Sequence, residues 1–147
     1  MTTALIKETP SLAGSITAPP SKSYTHRAVI ATSLADGVSR IRFPLYATDT
    51  CATINACRAF GAKIKQQKTV LEVSGSCNLK APFNPIDCAE SASTIRFLTP
   101  IAALAEGRSV LTGSSGLKQR PVGPLIEALQ KLGVQCSSNR GNPPVTV

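Results

Sequence analysis

Apolar positions along the chain fall into short runs of small and aliphatic residues, and several of these runs close on a glycine. Leu34-Ala35-Asp36-Gly37, Ala59-Phe60-Gly61, Leu104-Ala105-Glu106-Gly107 and Lys131-Leu132-Gly133 all read as helix ends. Counting back from each predicts helices over 22–36, 50–60, 91–106 and 121–132. Between them, β-branched or alternating stretches at 39–43, 63–65, 70–74, 109–111 and 134–136 predict strands.

The pattern repeats. Gly37 and Gly107 are 70 residues apart and Gly61 and Gly133 are 72 apart. Ser21 and Ser23 precede Ser91 and Ser93 by 70, and Arg27 precedes Arg96 by 69. Two copies of one unit follow, each reading strand, helix, strand, helix, then one or two strands. That order predicts an α+β (α/β) fold with helices covering small sheets. The second copy stops in the extended stretch Pro143-Pro144-Val145-Thr146-Val147, which reads as interrupted and implies a missing continuation.

Composition narrows the partners. Of 147 residues, 42% are hydrophobic and 16% charged, enough for a packed core, and aromatics are only 4%. Lys and Arg exceed Asp and Glu to give a net charge of +8. The cations are dispersed and there is little to stack on bases, so small phosphorylated or carboxylated ligands fit better than nucleic acid. The alternative from another class is a basic RNA-binding α/β module. Five cysteines (Cys51, Cys57, Cys77, Cys88, Cys136) with no C-x-x-C pair, and a single histidine, His26, predict reduced thiols and no metal site. No secretion signal or membrane span is read, which predicts a cytoplasmic protein.

Three segments carry candidate chemistry. In Pro19-Pro20-Ser21-Lys22-Ser23-Tyr24-Thr25-His26-Arg27, the prolines end the preceding segment and Ser21 caps a helix whose first amides have no partner of their own. Ser23 and Arg27 stand four apart on one face, so a hydroxyl, a guanidinium and a helix start can meet one phosphate, with Lys22 beside them. In Cys88-Ala89-Glu90-Ser91-Ala92-Ser93-Thr94-Ile95-Arg96, small residues at a helix start admit a ligand to the backbone, although they also suit tight packing. The loop Gly113-Ser114-Ser115-Gly116-Leu117-Lys118-Gln119-Arg120-Pro121 delivers Arg120 to the start of another helix, where it either grips an anion or is simply solvated. Asp49, in Thr48-Asp49-Thr50, reads as a helix cap that also complements the dipole. His26 reads as a helix-surface or supporting residue.

Together these segments resemble the enolpyruvyl transferase family from about Leu12 onward, and within it the branch acting on shikimate 3-phosphate. The match lies in Pro20 through Arg27, Thr48-Asp49-Thr50, Ser93-Thr94-Ile95-Arg96, Leu111-Thr112-Gly113, and Lys118 through Leu125, in that order. The resemblance implies repeated βαβαββ units in an inside-out α/β fold, with two domains closing on a hinge. It implies transfer of the enolpyruvyl group of phosphoenolpyruvate to shikimate 3-phosphate, on the route to aromatic amino acids, with no cofactor. It assigns Lys22, Ser23 and Arg27 to shikimate 3-phosphate, with Lys22 also reaching phosphoenolpyruvate, and Arg120 and the backbone at Ala92 to phosphoenolpyruvate. Asp49, Ser93 and Arg96 would support them.

Residues 1–18 are then a strand and hinge, the strand near 11–18 belonging to the other domain, and 19–147 are two repeats of an incomplete substrate-binding domain. The catalytic acid and base would lie in the absent carboxy-terminal part, so the piece alone is expected to be inactive. Glu90, Ala92 and Ser93 stand where many members have Asn, Gly and Thr. A carboxylate at Glu90 would repel an anion unless a cation pairs with it, and members with Ala at the position of Ala92 tend to resist glyphosate. The sister branch acting on UDP-N-acetylglucosamine fits less well, because residues 113–119 lack its cysteine and Ser23 replaces its Asn.

Overall fold

The computed structural model describes residues 4–147. Residues 4–21 form neither helix nor strand and are exposed, Leu12 and Ile16 included. The strand expected at 11–18 has no sheet neighbour here and does not form. Positions 1–3 of that expected first segment lie outside the described residues.

From Ser21 onward the order is α1 (Lys22–Leu34), β1 (Gly37–Arg42), α2 (Thr48–Ala59), β2 (Lys63–Gln66), β3 (Val70–Gly75), β4 (Ile86–Asp87), α3 (Ala92–Ala102) and β5 (Val110–Thr112). A 3-10 turn (Leu117–Gln119), α4 (Gly123–Lys131), β6 (Ser137–Asn139) and β7 (Asn142–Thr146) follow. Mixed helices and two small sheets make this an α+β fold.

The sheets show the duplication directly. The first runs β1-β3-β2 and the second β4-β5-β7-β6, with β1, β3 and β2 matched by β5, β7 and β6 in the same antiparallel order. Only the second has a further edge strand, β4, parallel to β5. Both copies share one core, in which Val29, Ile54, Leu71, Val73, Ile95, Leu98, Leu111 and Val145 are almost entirely removed from solvent. The helices lie on the sheets through these aliphatic side chains, as the scarcity of aromatics required.

Most element ends fall within two residues of expectation, and three of the differences have a visible cause. The helix expected to reach 106 stops at Ala102. Beyond it Leu104 and Ala105 donate to carbonyls only three residues back, and Glu106 leaves to exchange hydrogen bonds with Leu79 and Ala81. The helix expected from 121 starts at Gly123, because Val122 (φ −126°, ψ 1°) is its non-helical cap; the N–H groups of Val122 and Gly123 both donate to the Gly141 carbonyl at 2.7 and 3.0 Å. The strand expected at 134–136 forms at 137–139 instead, as one arm of a hairpin with β7. Its turn residues Arg140 (φ 53°) and Gly141 (φ 84°) are both left-handed, the geometry that matches strand twist.

At Gly75 the end of β3 lies against the end of α1. A Cβ there would collide with the carbonyl oxygens of Thr32, Ser33 and Ala35, and the next amide, Ser76, donates to the Ser33 carbonyl at 3.1 Å. Gly75→Ala is expected to destabilise the chain by ~1–3 kcal/mol in denaturant unfolding, since backbone cannot yield as a side chain would. An unchanged midpoint would show that this joint is not rigid.

Candidate anion-binding site

The start of α1 is built as the sequence reading requires. Ser21 is the cap, its Oγ accepting the Tyr24 N–H at 3.3 Å. Lys22 and Ser23 occupy the first two helical positions, whose N–H groups have no acceptor within a helix. Arg27 curls back one turn and donates to the Ser23 carbonyl at 3.2 Å and to the Ser23 hydroxyl. Ser23, Tyr24 and Arg27 line a shallow open depression. A hydroxyl, a guanidinium and a helix start therefore do converge. Thr25 pins the neighbouring loop to them, accepting the Leu45 N–H at 3.0 Å while donating to the Ser21 carbonyl at 2.9 Å.

Asp49 sits in the first turn of α2 and accepts from Lys22 Nζ at 2.9 Å. It complements the dipole but is not the cap. That position is Ala47, whose own N–H is taken by Thr50 Oγ1 at 2.9 Å. The Lys22–Asp49 pair is half-exposed and contributes only ~0.2–1 kcal/mol to stability. Its effect is to hold the ammonium over the junction of α1 and α2.

Beneath these groups runs a buried chain of hydrogen bonds that the sequence reading missed. His26 is 1% exposed, so it is neither a helix-surface residue nor a solvated base. Its Nδ1 lies 2.7 Å from Thr53 Oγ1, which lies 2.7 Å from Thr94 Oγ1, and Thr94 Oγ1 donates to Ser91 Oγ at 2.7 Å. Thr94 Oγ1 also lies within reach of the Asp49 carbonyl at 3.3 Å, and either hydroxyl of the Thr53–Thr94 pair can be the donor, so the chain can carry its protons in either direction. His26 Nε2, on the other side of the ring, is buried without a partner.

Protonation would place a charged N–H there with no acceptor. Burial accordingly holds the imidazole below its ordinary 6.5; Asp49 raises it somewhat, and Lys22 and Arg27 lower it further.

The start of α3 lies at the far end of this chain. Ser91 is its cap, accepting the Thr94 N–H at 3.1 Å, and half-buried Ala92 and Ser93 are its first two residues. From cap to cap the two copies are 70 residues apart, so the counterpart of His26 is Arg96 and that of Arg27 is Phe97. The pairing of Arg27 with Arg96 suggested by their spacing of 69 does not hold structurally. Instead the Arg27 guanidinium sits 5.3 Å from the centre of the Phe97 ring, tying α1 to α3 from outside.

Glu90 precedes the Ser91 cap and accepts from the Ser114 hydroxyl; the Ser114 N–H donates to the Ala89 carbonyl at 3.0 Å. No Lys or Arg forms an ion pair with Glu90 among the described residues. The loop is seated so closely that a Cβ at Gly116 would stand 2.6 Å from Glu90 Oε2. Arg120 follows the 3-10 turn and is exposed, and Arg96 donates to the Pro121 carbonyl at 3.0 Å, bracing the loop from α3. Arg96 thus supports the arginine loop, while Ser93 adds a second small side chain beside the α3 start.

Two of the cysteines, Cys57 and Cys88, are buried in the core. Burial pushes Cys57 up to about 11 and Cys88 up to about 12, so both stay thiols. Among the described residues no cluster of His, Cys, Asp and Glu could hold a metal ion, and no helix is long and apolar enough to cross a membrane. A second concavity, by the far ends of α3 and α4, is lined by Ala105, Arg108, Leu132 and Val147; it offers one cation and no helix start.

The sequence model of the family described as EPSP synthase (3-phosphoshikimate 1-carboxyvinyltransferase) matches residues 6–147. The chain belongs to this EPSP synthase family. The protein named 3-phosphoshikimate 1-carboxyvinyltransferase from Methanothermobacter thermautotrophicus is 45% identical over 144 residues, covering 97% of this chain and 34% of its own. One of the same name from Methanocella arvoryzae is 49% identical over 129 residues, covering 87% of this chain and 30% of its own. In structure, EPSP synthase from Acinetobacter baumannii superposes with a TM-score of 0.86 at 29% identity, over 91% of this chain and 32% of that one. The chain spans about a third of the length of the curated relatives it matches.

Two measurements check the buried junction. Thr53→Val leaves His26 and Thr94 each short of a partner and is expected to cost ~1–3 kcal/mol of stability in denaturant unfolding. Because unfolded His26 takes up a proton near 6.5 while the folded residue resists it, stability is complete above that pH and falls as pH drops through it. His26 is the only histidine, so His26→Gln should abolish this loss between about pH 7 and 5.5. A similar loss in the variant would place its origin elsewhere.

Proposed function

We propose that this chain is the amino-terminal substrate-binding part of a 3-phosphoshikimate 1-carboxyvinyltransferase. The observation that carries the reading is the α1 start, where Ser23 and Arg27 converge beside free first-turn amides with Lys22 alongside, in a chain of this family. Lys22, Ser23 and Arg27 bind shikimate 3-phosphate, and Lys22 also reaches phosphoenolpyruvate. Arg120 and the backbone at Ala92 bind phosphoenolpyruvate, supported by Asp49, Ser93 and Arg96.

In the reaction a substrate hydroxyl gives up its proton and adds to the enol carbon of phosphoenolpyruvate while the methylene carbon takes up a proton. Loss of a proton from the resulting methyl group then reforms the double bond as the bond from the enol carbon to the phosphate oxygen breaks and releases phosphate. Both substrates are multiply anionic, so preset cations and helix amides stabilise the charge that builds on the departing phosphate. The net charge of +8 serves these anions rather than nucleic acid. Proton transfer falls to groups in the remaining two-thirds of the protein, whose second domain takes residues 1–18 as a strand and hinge. The setting is the cytoplasm.

The test is a titration of the isotope-labelled chain with shikimate 3-phosphate at fixed ionic strength, with shikimate and inorganic phosphate as controls. Saturable shifts at Lys22, Ser23 and Arg27 with the ester alone are expected. Arg27→Ala should weaken binding about tenfold or more, the size of a lost charge-assisted hydrogen bond. Equal shifts with inorganic phosphate would reduce the site to a general anion patch. With both substrates present the chain alone should release no phosphate, and turnover would show that the acid and base are already here. In the full-length protein, Ala92→Gly should increase inhibition by glyphosate by opening room for it; unchanged inhibition would remove Ala92 from that role.

A further inference from the structure

The hydrogen-bonded chain from His26 to Ser91 is buried at every link, and its ends lie at the second turn of α1 and the cap of α3, the two helices that carry the candidate anion groups. His26 is one residue before Arg27 and four after Lys22 on α1. Ser91 is the cap of α3, directly before Ala92 and Ser93. Among the described residues Thr53, from α2, is the only hydrogen-bonded link between His26 on α1 and Thr94 on α3. Thr94 further contacts the Asp49 carbonyl at 3.3 Å, within the turn whose carboxylate holds Lys22.

Side chains of this kind are poor at stabilising a core, because an aliphatic residue of the same size packs without any polar debt. What they do provide is direction. A short chain of hydroxyls, with its fixed distances and angles, restricts the relative placement of three helices more narrowly than aliphatic packing, which tolerates repacking.

We infer that His26, Thr53, Thr94 and Ser91 form a positioning device that holds the starts of α1 and α3 in one register, so that the two substrate anions meet sites already aligned. This rests on the substrate reading above. The groups acting on His26 are Lys22 and Arg27 from its own helix and Asp49 from α2. From α3 the chain meets hydroxyls, while Arg96 is turned to the Pro121 carbonyl.

The experiment compares Thr53→Val, Thr53→Ser and Thr99→Val. Thr99 is a buried α3 hydroxyl that donates to the Ile95 carbonyl at 2.6 Å, outside the chain. Its loss reports on stability alone. Shikimate 3-phosphate is titrated into each labelled variant, with unfolding midpoints measured alongside. Thr53→Val should weaken binding about fivefold, the size of one neutral hydrogen bond, and Thr53→Ser should restore it. Thr99→Val should lose stability and keep its affinity. Wild-type affinity in Thr53→Val, or equal weakening in Thr99→Val, overturns the proposal. Should Thr53→Val not fold, Thr94→Val cuts the same chain and is read in the same way.

If the wild-type chain does not bind the ester, the substrate reading fails and the device is decided without ligand. As pH falls, the Thr94 and Ala92 amides should follow the titration of the His26 ring in the wild type and cease to follow it in Thr53→Val or Thr94→Val. Amides that follow it equally in the cut variants reveal a through-space effect and refute the device.

Discussion

Three helix starts meet at one junction held by hydroxyl groups, and the candidate site depends on that meeting. Each start presents unpaired N–H groups equivalent to roughly half a positive charge, so bringing α1, α2 and α3 together at these ends is electrostatically unfavourable. The cost is offset in two ways. Asp49 sets a carboxylate among them, bound to Lys22. The caps Ser21 and Ser91, and Thr50 reaching back to the Ala47 N–H, then absorb part of the demand for acceptors. What remains is a concentration of donors and cations suited to multiply charged anions.

The duplicated unit makes this junction possible, and divergence between the copies gives it its chemistry. Identical copies would place either two imidazoles or two guanidiniums at the fifth position past the cap. Here the first copy has His26, which turns inward to Thr53, and the second has Arg96, which turns to the Pro121 carbonyl. One position further on, Arg27 of the first copy stacks on Phe97 of the second. The copies complement one another, so the site belongs to both and to neither alone. Glu90 fits the same logic. Its carboxylate is used to seat the loop carrying Arg120 by accepting from Ser114, although among the described residues no cation pairs with it to offset the repulsion expected from its position in sequence.

Much of the fold was legible because its signals are local. Glycine-closed helix ends, the Ser21 cap and the 70-residue repeat each depend on a few neighbouring residues, and the helices and most strands lie where those signals place them. Three errors sit at element ends. Glu106 deserts the α3 end for Leu79 and Ala81, Val122 takes a non-helical cap conformation at the start of α4, and Arg140 with Gly141 moves the last hairpin by a few residues. The Asn139-Arg140-Gly141-Asn142 turn was the one local signal left unread.

The same division holds at the site. Sequence alone determined that Ser23 and Arg27 share a helix face, that Lys22 stands at a helix start and that small residues open α3, because all of these follow from helical periodicity and capping. Tertiary structure decided that Lys22 pairs with Asp49, that Arg27 rests on Phe97 and that His26 is buried against Thr53. These are contacts between residues 27 to 70 positions apart, chosen by how the helices pack. A threonine on an inward helix face looks the same in sequence whether it bonds its own backbone, as Thr99 does, or links two helices, as Thr53 does. Only the packed chain brings the second partner within reach.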